Sequence, residues 1–170
     1  MLSITFRNVR GQFVSRPRLD LQRFGNDIKI PEMIRLSDML SIMKEEVTVG
    51  LFKQVMQGYK FSGHYAEGLK EILNDPSQTK QAITHVNLSD AREFAKRLSE
   101  QTGRKFRVQT EKEWKQAEHE LSGNHWTWTE TIYEGDDYVL RSRQEPLRGT
   151  TPRTFLRFGD TSIRIVEDLA

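Results

Sequence analysis

Every tryptophan of this 170-residue chain falls between positions 114 and 128, so its largest apolar side chains must be buried around one short stretch. Within residues 106–130, FRVQTEKEWKQAEHELSGNHWTWTE, local signals fix the backbone on either side of them. Thr110-Glu111-Lys112-Glu113 is a capping box, in which the Thr110 hydroxyl accepts from the Glu113 amide and the Glu113 carboxylate accepts from the Thr110 amide. A short helix therefore starts at Glu111. Phe106 and Val108 alternate with polar neighbours and predict a strand leading into that helix, against which Trp114 turns inward. Gly123-Asn124 break the chain. Trp126 and Trp128 are two apart, which on a strand puts both indoles on one face and Thr127 and Thr129 on the other.

The remaining periodicities predict an α+β chain. Leu2, Ile4 and Phe6 alternate with polar residues as a strand, which Gln12 to Val14 continue after a turn at Gly11. Residues 15–38 hold Pro17, Gly25, Asn26 and Pro31 among scattered charges and read as loops with one short strand at 27–30. Thr48 is an N-cap, and Leu51, Phe52, Val55, Met56 and Tyr59 share one helical face over 48–59. Residues 66–73 add a helical turn or two that Asn74-Asp75-Pro76 ends. Asn87, with Asp90 as its reciprocal partner, starts a helix over 88–102 with Leu88, Ala91, Phe94, Ala95 and Leu98 inward and Gly103 stopping it. Beyond the tryptophans, acidic residues surround a turn at Gly135, and strands are predicted at 138–141, 154–157 and 162–166, the last two separated by Gly159-Asp160.

Composition excludes several functions. Hydrophobic residues make up 36% of the chain, enough for one modest core in one domain over 1–170. No apolar run approaches a membrane span, and the first fourteen residues are too short in apolar character for an export signal, which predicts a cytoplasmic protein. There is no cysteine, so disulfides, thiolate metal sites and cysteine nucleophiles are ruled out. The net charge of +2 argues against a dedicated nucleic-acid binder.

The stretch Phe106-Arg107-Val108-Gln109-Thr110-Glu111-Lys112-Glu113-Trp114 resembles the Tyr-Arg-Leu-Pro-Thr-Glu-Ala-Glu-Trp segment of the formylglycine-generating enzyme, or sulfatase-modifying factor, family. Gly123-Asn124-His125-Trp126-Thr127-Trp128-Thr129 is similar to that family's Gly-Asn-Val-Trp-Glu-Trp-Thr. Glu46-Val47-Thr48, Val86 to Ala91 and Ser162 to Val166 fall in the same order as further family segments. The resemblance spans about residues 40–167, with 60–82 as a divergent insertion. It implies a C-type-lectin-like fold with two main helices and an irregular, mostly antiparallel sheet, whose opening strand pairs near the C-terminus.

For chemistry, the resemblance implies an oxidase reaction run by two cysteines in the segment here occupied by residues 142–157, where no thiol exists. It also implies an oxygen-lined calcium site, which carries over to the Glu120 side chain, the Gly123 and His125 carbonyls and the Thr127 side chain. Thr127 stands in place of the family's carboxylate and Glu120 in place of its amide. The alternative is a turn held by hydrogen bonds and tryptophan packing. Of the four histidines, His119 and His125 are six apart, a spacing that matches no common metal motif; His64 and His85, with Tyr65, read as surface or singly bonded side chains.

The final thirty residues hold arginine but no lysine. Arginine suits bidentate capture of carboxylate or phosphate, so Arg141, Arg143, Arg148 and Arg153 are the candidate ligand-binding residues. The competing reading pairs them internally with the acidic run 130–137. Two functions follow. One is a non-catalytic module that binds a protein or an anionic ligand, either a stand-alone recognition protein or a variable protein of the kind diversified by retroelements in phage and prokaryotes. The other is a metal-dependent enzyme or enzyme subunit that uses copper, iron or calcium without cysteine.

Overall fold

The computed structural model describes residues 27–144 and 155–170 in full, preceded by the backbone of two strands, β1 (Ile4–Arg7) and β2 (Phe13–Arg16). Among the described residues those two pair with each other, antiparallel, and not with the C-terminal part of the chain as the resemblance implies. The partner of the C-terminal strand is instead β4 (Leu40–Met43), which also forms a hairpin with β3 (Met33–Ser37). Residues 33–37 are thus strand where the sequence predicts loop, and 27–30 carry no strand. Ile34 and Leu36 alternate up to the Asp38-Met39 turn, and the reverse strand carries Leu40 and Ile42 in the same phase.

Helix α1 (Val49–Val55) starts at Thr48, whose hydroxyl accepts from the Leu51 amide, and it ends four residues short of the predicted 59. Gly58, at φ +76°, turns the chain out of the helix. The insertion forms α2 (Ala66–Asn74) and a 3₁₀ turn opened by Asp75 and Pro76. Helix α3 (Leu88–Thr102) has both bonds of the Asn87–Asp90 capping box and stops at Gly103, φ +72°. Next come β5 (Lys105–Val108) and α4 (Glu111–Ala117), with the Thr110–Glu113 box complete. Arg107 clamps that box to the sheet by bonding both Glu113 and Asp168.

Strands β6 (Trp126–Glu134) and β7 (Asp137–Arg141) make a hairpin around Gly135-Asp136. From Trp128 to Ile132 β6 advances four residues while β7 moves two, from Leu140 to Tyr138, so β6 bulges. The bulge sends Thr131 to the start of α4, where its hydroxyl accepts from the Glu111 amide. The predicted strand 162–166 is two pieces, β8 (Thr161–Ser162), parallel to β6, and β9 (Ile165–Asp168), between β4 and β5. Residues 155–158 are not strand, and Thr154 lies outside the described residues.

The four-stranded sheet β3-β4-β9-β5 divides the core into two layers. Alternation sends Met43 and Ile165 to one face, with Phe52 of α1 and Phe94 of α3, and Ile42 and Val166 to the other, under Trp114 and Ala117 of α4. Trp126 and Trp128 share the first layer, as their spacing predicts, whereas Trp114 lies in the second. All three are buried. Among the described residues, no helix is long and apolar enough to cross a membrane.

Candidate functional site

The four candidate arginines separate. Arg141, at the end of β7, is largely buried, bonds Glu111 at 2.5 Å and lies over the Trp114 ring at 5.4 Å. It is therefore part of the α4 packing. Arg143 is exposed and has no ion-pair partner among the described residues. Arg148 and Arg153 lie outside the described residues.

Arg141, Arg157 and Arg164 are used internally, but with partners outside the 130–137 run, whose Glu130 is paired elsewhere. Glu130 takes a bidentate bond from Arg92 of α3. Arg157 is fully buried against Asp90 and also donates to the carbonyls of His85 and Ser62. Burial pushes the Asp90 carboxyl up, against the pull of Arg157 and the Asn87 amide. Arg164 is equally buried and donates to the carbonyls of Met43, Lys44 and Ser122, with Glu46 at 3.8 Å. Burial lowers its pKa to about 10, so it stays charged at neutral pH.

Glu46 organises the turn between α4 and β6. Its carboxylate is 4% exposed and accepts from the His125 backbone amide at 3.0 Å and from His125 Nδ1 at 2.8 Å. An ionised carboxylate can only accept, so Nδ1 carries the proton. Gly123, φ +95°, passes so close that a Cβ there would lie 2.5 Å from the Glu46 carboxylate. The next carbonyl, that of Asn124, accepts from the Ser142 hydroxyl at 3.3 Å, which ties this turn to the chain just before Arg143. Sequence reasoning missed the Glu46–His125 pair because the two lie 79 residues apart.

The Glu46 hydrogen bond holds the His125 pKa above its ordinary 6.5, against the cost of partial burial, with Glu46 and Asp160 adding charge attraction. A pKa raised in the folded state gives stability that is complete below the unfolded value and is lost as pH rises through the folded one. The melting-temperature difference between the wild type and His125→Gln should therefore be largest near pH 5.5 and shrink above neutrality. A difference that grows with pH would contradict this pairing.

The residues implied for calcium do not fit it. Glu120 is exposed just past α4, and the Thr127 hydroxyl is buried inside the sheet, accepting from Gln109 Nε2 at 2.8 Å and donating to the Arg141 carbonyl. Calcium takes six to eight oxygens with carboxylate among them, and here the one carboxylate faces solvent. Gln109 and Thr127 are the two positions where this chain has exchanged the Pro and Glu of the resembling segments, and they bond each other. Among the described residues, no group of three or more His, Asp or Glu could hold a metal ion.

Comparison with curated proteins returned no match. A family model described as the sulfatase-modifying factor enzyme 1-like domain matches residues 10–157. That span holds both tryptophan segments, the Glu46 turn and the α3 capping box, and the mixed α+β fold with largely antiparallel sheets is the C-type-lectin-like one of that domain. The chain therefore belongs to the sulfatase-modifying factor enzyme 1-like domain family.

Proposed function

We propose that this chain is a non-catalytic binding module whose partner is anionic or acid-rich, and that the partner meets the surface beginning at Arg143. The carrying observation is the contrast between Arg143 and its neighbours. Arg141, Arg157 and Arg164 are all buried in internal bonds, whereas Arg143 is exposed, next to a serine anchored to the Glu46 turn. Arg148 and Arg153, outside the described residues, follow in the sequence and add two more positive charges to it. The missing cysteines support the reading, since the oxidase reaction implied by the family needs two.

The test is binding to a panel of acidic peptides and glycans at two salt concentrations. The double variant Arg143→Ala/Arg148→Ala should keep the wild-type melting temperature. It should lose roughly two- to thirtyfold in affinity, the worth of two exposed ion pairs at about 0.2–1 kcal/mol each, and its binding should depend less on salt. Arg141→Ala should do the reverse, lowering the melting temperature through loss of the Glu111 bond and the Trp114 contact. If the double variant loses stability and no panel member binds the wild type, these arginines hold the fold and the proposal fails.

A further inference from the structure

The Glu46 turn forms one side of an open pocket of about 260 Å³, whose other side is the segment 80–82. That segment is fixed against the start of α1, since the Val49 amide donates to the Gln81 carbonyl and the Ile83 amide to the Val47 carbonyl. The pocket is therefore walled by backbone that is already bonded, so it is preformed. Its volume suits one small polar group rather than an extended ligand.

Two side chains in it can hold an anion. His125 lines the pocket with its ring 39% exposed, and because Nδ1 is given to Glu46, Nε2 is its remaining polar atom. Lys80 lines the opposite side, exposed and with no ion-pair partner among the described residues. Both oxygens of Glu46 are taken up by His125, so this carboxylate fixes the ring and does not compete for the pocket. Asn124 and Ser122 add polar rim atoms.

We propose that this pocket binds a single carboxylate group between His125 Nε2 and Lys80. The site deepens the binding role above and rests on that reading for the acidity of the partner, but the carboxylate can be tested without the partner. An acidic side chain of a polypeptide and a free organic acid offer the same group. The charged groups around His125 are Glu46, Glu45 and Asp160 on one side of the balance and Lys80 and Arg164 on the other. With His125 protonated, three cations balance three carboxylates, and with His125 neutral the carboxylates are in excess by one. Binding should therefore weaken as pH rises.

The experiment is an NMR titration of the His125 imidazole in the full chain with acetate and, separately, with a pentaglutamate peptide. The His125 signals should shift and saturate at pH 6, with affinity falling about tenfold per pH unit above the His125 pKa. Lys80→Ala, at an exposed position whose loss leaves the fold intact, should weaken both probes, and His125→Gln should remove the pH dependence. Saturation by acetate supports a free acid as sufficient, whereas saturation by the peptide alone supports an acidic chain as the source. No saturation by either up to about 50 mM, far beyond a millimolar Kd, or undiminished binding in Lys80→Ala, would overturn the proposal. Because Arg143→Ala leaves this pocket intact, acetate binding that survives that variant separates failure of the pocket from failure of the Arg143 surface.

Discussion

Asp90→Ala should destabilise the protein by about 3–5 kcal/mol, the usual cost of removing one partner from a buried ion pair. Both side chains are almost wholly buried, and without the carboxylate the Arg157 guanidinium keeps only carbonyl partners. The same change removes the bond from the Asn87 amide that completes the α3 capping box. Arg157 joins three elements, α3, the His85 segment and the Ser62 loop, so its loss of charge balance is felt across all of them. A urea denaturation midpoint measures this. The double variant Asp90→Ala/Arg157→Met should be more stable than Asp90→Ala alone, since it no longer strands a charge. If Asp90→Ala were within about 1 kcal/mol of the wild type, the buried pair would have no structural role.

Trp128→Ala should cost a similar amount, about 3–5 kcal/mol for a fully buried large aromatic, against a total stability of roughly 5–15 kcal/mol for a domain of this kind. The indole is fully enclosed in the larger core layer, and its Nε1 donates to the Val86 carbonyl at 2.9 Å. That bond links β6 to the residue before the α3 cap, so truncation opens a cavity and leaves a buried carbonyl without its donor. Trp128→Phe should recover part of the packing but not the hydrogen bond. Thermal unfolding of the three proteins should rank wild type above Phe above Ala, and equal melting temperatures would remove the tryptophan strand from its central place in the core.

The helices were legible in the sequence because their information is local. Thr48, Asn87 with Asp90, and Thr110 with Glu113 each bond an amide three residues away, and each does so as the spacing predicts. Strand pairing was less legible because partners are distant in sequence. β3 carries a clear alternation, but the charges and prolines before it favour a loop reading, and nothing local says that β4 takes β9 as its neighbour. The roles of the individual arginines were illegible for a related reason. Arg141, Arg143, Arg157 and Arg164 look alike as letters, and only the three-dimensional positions of Glu111, Asp90 and the 43–44 and 122 carbonyls decide which are used internally. The Gln109–Thr127 bond shows the same limit, because two exchanged positions become one interaction only when β6 lies beside the end of β5.

The claim that this member of the family binds rather than catalyses is tested most directly by metal analysis of the protein purified without added metal or chelator. With no cysteine and, among the described residues, no cluster of three or more His, Asp or Glu, the account predicts no stoichiometric iron or copper. One equivalent of either metal, retained through gel filtration, would contradict it and favour a metal-dependent enzyme.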